Sequence, residues 1–230
     1  MALKVIKLIL AESSLELVPR DIVGHPAVLR TAQRRGKRPT EILLDVSLHY
    51  HAMKKLRNRH KRGRPDIVHV TLLELLSSPL NLEGRLRIYV HTVNDYVIIV
   101  DPKTRIPRNY NRFVGLIEQL LTVGKVPPDS EKPLMEAVAM NFTALLKHLG
   151  KEEVILLSEK GELVGTDEVC QKALEEDLPI VIGGFPHGDF SEEVLASAKY
   201  TYSIYPKPLD TWVVASRITA ACEKLLKILL

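Results

Sequence analysis

Three arginines near the middle of the chain are spaced so that they could bind phosphate groups together. Arg105, Arg108 and Arg112 lie three and four positions apart, so a partly helical loop would present all of them on one face. Arginine side chains bind phosphate oxygens in pairs and stack on unpaired bases. We therefore predict a nucleic-acid-binding surface here. The alternative is that Arg105 and Arg108 pair with nearby acids such as Asp101.

The charge distribution favours a polyanionic partner. The formal net charge is +4 over 230 residues, but residues 30–64 contain twelve Lys or Arg against only Glu41 and Asp45, a local balance of about +10. From residue 151 onward acidic residues outnumber basic ones, so one half of the chain is suited to a polyanion. Residues 57–65 (RNRHKRGRP) are predicted to form a surface loop. Its segment 57–62 could belong to an RNA-binding surface, or could equally be a solvated, mobile loop that orders only on RNA.

Three turns that contain glycine or proline could hold a small ligand. Residues 158–161 (SEKG), 183–188 (GGFPHG) and 205–208 (YPKP) each follow a predicted strand, and parallel α/β sheets bind ligands at the carboxyl ends of strands. Glycine lets a backbone approach a ligand closely, although Gly183 and Gly184 could equally end a strand. No Gly-Lys-Ser/Thr follows and no Gly-x-Gly-x-x-Gly follows the first strand, which disfavours a nucleoside-triphosphate loop and a Rossmann fold.

Apolar periodicity predicts strands that alternate with helices, and hence a parallel α/β sheet covered on both faces. Strands are predicted at 3–11, 42–45, 154–157, 178–182 and 200–204, with a β-hairpin over 85–100. Helices are predicted at 25–36, from 45 to 56, and at 67–76, 113–121, 134–149, 166–176, 191–199 and 209–229. The proline-rich segment 124–133 is the predicted boundary or linker.

Several classes of protein are disfavoured. No run of eighteen apolar residues is present, and lysines interrupt the apolar start MALKVIKLIL, so neither a membrane span nor a signal peptide is predicted. Cys170 and Cys222 lack metal-type spacing and are predicted to be reduced core residues of a cytoplasmic protein. His49 and His51 would not share a helix face, so no metal site is predicted. His187 is expected to constrain its loop.

Four segments together resemble the pseudouridine N1-methyltransferases of small-subunit ribosomal RNA, which belong to the trefoil-knotted SPOUT class. They are residues 35–45 (RGKRPTEILLD), 63–69 (GRPDIVH), 104–113 (TRIPRNYNRF) and 182–188 (IGGFPHG). They occur in the family's order and span nearly the whole chain.

The resemblance implies a fold that periodicity does not provide. It implies a single SPOUT-like α/β domain over residues 1–230, with a parallel sheet and a C-terminal trefoil knot, an exception to the rule against threading. Within it, residues 20–125 would be a basic RNA-binding extension that includes the β-hairpin, and residues 134–230 the knotted, cofactor-binding part. The resemblance also implies a homodimer with RNA sites near the subunit interface.

The resemblance further implies the ligands and their residues. S-adenosylmethionine would lie among Leu157, Ser158, Gly183, Gly184, Gly188, Ile204, Tyr205, Pro206, Lys207, Pro208 and Leu209. Small-subunit rRNA would be bound by Arg64, Arg105, Arg108 and Arg112. The activity implied is methylation of pseudouridine N1, with a role in ribosome small-subunit biogenesis. Two alternatives stay open: an RNA-binding assembly factor with incidental methylation, and methylation of another RNA position.

Asp66 and the aromatic residues each have two interpretations. The Asp66 carboxylate could remove the N1 proton as a general base or orient the uracil edge. Alternatively it could cap a helix or form a salt bridge to Arg64, and we favour this structural role. Tyr50, Tyr89, Tyr110 and Trp212 are expected to pack in the fold. Tyr110, between two of the arginines, is the candidate for stacking on a base.

Overall fold

A sheet of eight strands organises residues 4–229, the part of the chain that the computed structural model describes. The strands are β1 Ile6–Ser13, β2 Leu86–Thr92, β3 Tyr96–Val100, β4 Lys125–Val126, β5 Met135–Ala139, β6 Val154–Leu163, β7 Ile180–Gly183 and β8 Ala198–Ser203. The helices are α1 Pro26–Arg35, α2 Val46–Met53, α3 Pro65–Ser77, α4 Pro79–Leu82, α5 Tyr110–Val123, α6 Phe142–His148, α7 Thr166–Glu175, α8 Glu192–Ala196 and α9 Thr211–Leu225. Short 3-10 helices cover Arg20–Ile22, Pro39–Glu41 and Arg59–Lys61.

The sheet has a parallel half and an antiparallel half. The strand order is β4-β5-β3-β2-β1-β7-β6-β8. The pairings of β2 with β1, β1 with β7, β7 with β6 and β6 with β8 are parallel. The pairings of β2 with β3, β3 with β5 and β5 with β4 are antiparallel. The prediction of a parallel α/β sheet is therefore correct for one half and wrong for the other. The β-hairpin, predicted to belong to the basic extension, forms part of the central sheet.

Alternate residues of β1 face opposite layers of the core, as the two-residue period of a strand requires. Leu8 and Leu10 pack in a large cluster that includes residues of α3, α5, α7 and α9. Ile9 and Ala11 pack in a second cluster, which includes Phe142 of α6 and residues of α8. Both faces of the sheet are therefore covered by helices.

A third hydrophobic cluster lies apart from the sheet, in the basic N-terminal region. It consists of Val18, Ile22, Val28, Ala32, Ile42, Leu44, Ala52, Met53 and Leu56. The Glu118 side chain of α5, which is fully buried, connects this unit to the rest of the protein. Its carboxylate pairs with Arg35, accepts from Lys37 Nζ at 2.6 Å, and accepts from the Leu43 backbone N–H at 2.9 Å. A buried carboxylate needs such partners to offset its desolvation.

Three local predictions are wrong. Residues 134–149, predicted to be one helix, contain strand β5 followed by α6, because β5 completes the antiparallel half beside β3. Residues 158–161, predicted to be a turn, continue β6, where Gly161 lies against the Thr201 backbone of β8 so closely that a Cβ would come within 2.6 Å of it. Residues 42–45 form no strand, and only an isolated bridge joins Leu43 to Leu17.

One part of the cysteine prediction is wrong. Cys170 of α7 and Cys222 of α9 are not reduced but form a disulfide; they are 52 positions apart in sequence and their Cα atoms are 5.3 Å apart. Both side chains are fully buried, so the prediction that they lie in the core is confirmed. The two cysteines meet because α7 and α9 pack against each other on one face of the sheet.

Within residues 4–229 no helix is both long and apolar enough to cross a membrane.

Candidate functional site

A cavity of about 180 Å³ opens where the parallel strands β7 and β8 end, beside residues in the middle of β6. Its walls come from Leu157 and the following residues of β6, from the loop after β7, and from the loop that joins β8 to α9. Thr211 at the start of α9 fixes the geometry, because its hydroxyl donates to the Gly183 carbonyl at 2.8 Å. This is the position at which parallel α/β sheets bind ligands.

Nine of the eleven residues that the resemblance assigned to the cofactor line this cavity; Gly184 and Pro206 do not. Gly184 instead lies against β1. Its N–H donates to the Ala11 carbonyl at 2.8 Å, and a Cβ at this position would come within 2.2 Å of Ser13 Oγ. The absence of a side chain at Gly184 is therefore required for the close contact between the β7 loop and β1.

The cavity combines apolar walls with charged groups of both signs. Leu157, Ile182 and Val214 contribute apolar surface. Glu159 and Asp189 contribute carboxylates, and Lys160 and Lys207 contribute amines. Lys160 forms an ion pair with Asp189, and this hydrogen bond holds the pKa of Asp189 below its usual range. Asp189 is therefore ionised at neutral pH.

A second cavity, of about 350 Å³, adjoins the first and is lined mainly by the basic region. The two cavities share Pro186 and His187. The other lining residues are Val46, Tyr50, Met53, Arg59, His60, Arg62 and Arg64. The cavity therefore combines apolar and aromatic surface from Val46, Met53 and Tyr50 with arginine side chains.

The basic segment 57–62 is attached to the fold at one end and exposed at the other. Lys61 and Arg62 pair with the buried carboxylates of Glu12 and Glu16, Arg62 through two hydrogen bonds of 2.6 Å. Residues 57–60, which include Arg57 and Arg59, are exposed. The segment is thus anchored in the fold and presents part of its charge to the second cavity.

Arg64 and Asp66 form a bidentate salt bridge at the start of α3. The Arg64 guanidinium donates to both Asp66 oxygens, at 2.8 and 2.7 Å. The predicted salt bridge is therefore confirmed. The predicted capping role is wrong, because Arg64 is the N-cap residue of α3 and Asp66 lies in its first turn.

The three arginines of the central loop are all exposed. Only Arg112 lies in a helix, at the start of α5, whereas Arg105 and Arg108 lie in the preceding loop. Among residues 4–229 no Asp or Glu forms a salt bridge with any of them, so the alternative pairing with Asp101 is not present. Their charges face solvent.

Buried neighbours hold this arginine loop in place. The Thr104 hydroxyl donates to the Leu134 carbonyl at 2.8 Å, and Ile106 packs in the main hydrophobic cluster. His69 of α3 has its Nε2 atom 2.7 Å from the Pro107 carbonyl. The loop therefore alternates between anchored residues and exposed arginines.

Two aromatic predictions have different outcomes. Tyr110 donates its hydroxyl hydrogen to Asp45 at 2.6 Å and is half-buried, and burial raises the pKa of Tyr110. It links α5 to the start of α2, and its hydroxyl is already engaged. Tyr50, expected to pack, is exposed and lines the second cavity.

The second cavity is the feature that the sequence did not reveal. Its residues come from α2, from the basic segment and from the loop after β7, more than a hundred positions apart. The signal in the sequence that could have indicated this cavity was the basic segment 57–62, which directly precedes residues 63–66 (GRPD). Within residues 4–229 no group of three or more His, Cys, Asp or Glu side chains is arranged to hold a metal ion.

We call the cavity at the ends of β7 and β8 the strand-end cavity. These features define an α/β protein in which this cavity lies beside a cationic surface. The profile of the EMG1/NEP1 methyltransferase family matches residues 8–223, so the chain belongs to that family.

Individual relatives agree over almost the full chain. The ribosomal RNA small subunit methyltransferase Nep1 of Staphylothermus marinus is 56% identical over 97% of each chain. The corresponding protein of Saccharolobus solfataricus is 48% identical over 96% of this chain and 98% of its own. The crystal structure of Archaeoglobus fulgidus Nep1 bound to S-adenosylhomocysteine superposes with a TM-score of 0.84 and 41% identity, covering 97% of this chain and 99% of that one.

Proposed function

We propose that this protein transfers a methyl group from S-adenosylmethionine to N1 of a pseudouridine in small-subunit ribosomal RNA, as a step in small-subunit biogenesis. One observation carries the proposal: the strand-end cavity and the cationic cavity share Pro186 and His187. A donor in the first cavity and a nucleotide in the second would therefore be neighbours. Methyl transfer depends mainly on holding the two reactants close and aligned.

The first cavity fits the methyl donor. Bound S-adenosylmethionine supplies a methyl group on a positively charged sulfur. The apolar walls at Leu157, Ile182 and Val214 suit an adenine ring and methylene groups. The Glu159 carboxylate suits a cation, whereas the Asp189 carboxylate already pairs with Lys160. The product S-adenosylhomocysteine is the ligand of the A. fulgidus structure. The nine lining residues of the predicted set are the proposed contacts.

The second cavity suits the acceptor nucleotide. Val46, Met53 and Tyr50 would contact a base turned out of the RNA, because bases stack on aromatic side chains. Arg59 and Arg64, which line the same cavity, would bind phosphate. Arg105, Arg108 and Arg112 are proposed to extend the RNA surface, since they are exposed and unpaired with acids within the described residues.

Asp66 acts in this proposal through Arg64. Both of its carboxylate oxygens accept from the Arg64 guanidinium, so the carboxylate sets the position of that side chain. Asp66 is therefore not the base in this proposal: as the methyl group passes from the sulfonium to N1, leaving S-adenosylhomocysteine, the N1 proton is lost to water.

Family membership also supports four larger-scale proposals. The chain is proposed to form a C-terminal trefoil knot and a homodimer with RNA sites near the interface. Residues 20–125 are proposed as the RNA-binding part and 134–230 as the cofactor-binding part, the latter including all of the strand-end cavity. Because the proposed substrate is ribosomal RNA, we place the activity in the cytoplasm.

The test uses labelled S-adenosylmethionine and two rRNA stem-loops that differ only in carrying uridine or pseudouridine at one loop position. We expect label only in the pseudouridine RNA, because uridine has no free N–H at position 1. Label in both RNAs would keep the methyltransferase and reject the proposed acceptor. RNA binding without cofactor binding or label would favour an assembly factor instead.

A further inference from the structure

Glu12, at the carboxyl end of β1, contacts both sides of the proposed site without lining either cavity. Its side chain is buried, with 7% of the residue exposed. Its backbone has a φ of 50°, in the left-handed region that residues other than glycine rarely occupy. An uncommon backbone conformation at a buried charge indicates that the position of this carboxylate is specifically maintained.

The two carboxylate oxygens of Glu12 accept hydrogen bonds from two different loops. Oε1 accepts from the backbone N–H of Ser191, at the end of the loop after β7, at 2.8 Å. Oε2 accepts from Lys61 Nζ, in the basic segment, at 2.5 Å. The Glu12 N–H donates to Nδ1 of buried His91 at 3.3 Å, which fixes the backbone beneath the carboxylate.

The same two loops also touch directly. Lys61 Nζ lies 4.5 Å from the centre of the Phe185 ring, a cation–π contact. A Cβ on Gly188 would come within 2.9 Å of the His60 ring and 3.3 Å of Lys61 Cε. The loop after β7 lines the cofactor cavity, and the basic segment lines the second cavity. Glu12 is the charged group that holds them together.

We propose that Glu12 is a positioning residue that couples RNA binding to cofactor binding. The inference rests on the proposed function. A ligand in either cavity orders one of the two loops, and the buried Glu12–Lys61 pair transmits that order to the other loop. The second ligand then meets a loop that has already lost conformational freedom, so it binds more tightly. By linkage, each ligand strengthens the other by the same factor.

The test measures this factor with S-adenosylhomocysteine and the pseudouridine stem-loop as probes. Calorimetry gives the Kd of S-adenosylhomocysteine without RNA and with saturating RNA. For the wild-type protein we expect at least a fivefold lower Kd with RNA, the lower end of typical coupling. The Kd of RNA should fall by the same factor when S-adenosylhomocysteine is saturating.

Glu12→Gln replaces the acceptor facing Lys61 by an amide that can still accept from Ser191, and should bring the factor close to one. Glu16→Gln is the matched control. Glu16 holds Arg62 of the same basic segment through two hydrogen bonds, and within residues 4–229 its carboxylate forms no hydrogen bond or salt bridge to the loop after β7. This variant should keep the wild-type factor even if its RNA affinity falls.

The proposal is overturned if Glu12→Gln keeps the wild-type factor, or if Glu16→Gln loses the factor equally. If Glu12→Gln does not fold, Lys61→Met removes the same pair together with the cation–π contact to Phe185, and a wild-type factor in that variant overturns the proposal. A wild-type protein that binds both probes independently overturns the coupling but leaves the proposed function. A wild-type protein that binds neither probe contradicts the proposed function itself.

Discussion

Removing the Cys170–Cys222 disulfide is expected to destabilise the protein by about 4 kcal/mol. The cross-link joins residues separated by 52 positions, and the loss of loop-closure entropy in the unfolded chain gives roughly this value at 25 °C. For a chain of this length each kcal/mol lowers the melting temperature by about 2–4 °C, so the total decrease is on the order of 8–16 °C. The covalent ring encloses both loops that line the strand-end cavity, so cofactor affinity should also decrease.

The assay compares the melting temperature of oxidised wild-type protein with those of Cys170→Ala, Cys222→Ala and the double variant. Each single variant already removes the cross-link, so the three variants should melt at similar temperatures. If lost packing of the two buried side chains were the main cause, the double variant would lose about twice as much as either single variant. Thiol titration of denatured wild-type protein without reductant should detect no free thiol.

Two results would refute this reasoning. Two free thiols in the denatured, unreduced protein would show that the cross-link does not form. A double variant that melts within about 2 °C of wild type would show that the ring contributes far less than its size implies. The first result would restore the expectation of two reduced core cysteines, and the second would refute only the predicted size of the effect.

Three further predictions concern exposed arginines, one buried carboxylate and two buried histidines. Simultaneous replacement of Arg105, Arg108 and Arg112 by Ala should make RNA binding less sensitive to salt. The slope of log K against log salt concentration should decrease in magnitude by roughly 2, and the Kd of S-adenosylhomocysteine should stay unchanged. An equal loss of both affinities would contradict the separate roles. Glu118→Gln should lower the free energy of unfolding in denaturant by about 3 kcal/mol, because it leaves the cations around a buried site without their partner; a loss below about 1 kcal/mol would mean that the network is not important. Burial lowers the pKa of His49 and of His91. As the pH is lowered from about 7 to 5, the unfolded chain therefore binds protons that the native protein does not, and the melting temperature should decrease. His91→Asn, whose Oδ1 can still accept from the Glu12 N–H in place of Nδ1, should reduce that dependence.

The parallel half of the fold was predictable because its signal is local. Near-continuous apolar runs produce β1 and β7, and glycine or proline marks the turns at the strand ends. The strand-end cavity then followed from the general location of ligands in such sheets, together with the family resemblance. The roles of individual lining residues remain predictions.

The remaining features depend on contacts between distant residues. Residues 135–139 have an apolar pattern that also suits a helix, and they become a strand because β3 offers an unpaired edge. Cys170 and Cys222 are joined only by the packing of α7 against α9. The second cavity needs Tyr50 and His187 on facing surfaces, which no local pattern indicates.

The separate hydrophobic cluster between α1 and α2 divides the protein into parts of unequal resistance to opening. That cluster is small, and its attachment to α5 depends strongly on the Glu118 carboxylate. Units with few buried contacts open at a lower free energy than the global transition. Backbone amides of α1 and α2 are therefore expected to exchange with solvent ahead of those in β1 and β7. The α1–α2 unit, which we propose contacts RNA, can then adapt its shape to a folded rRNA while the strands of the central sheet stay ordered.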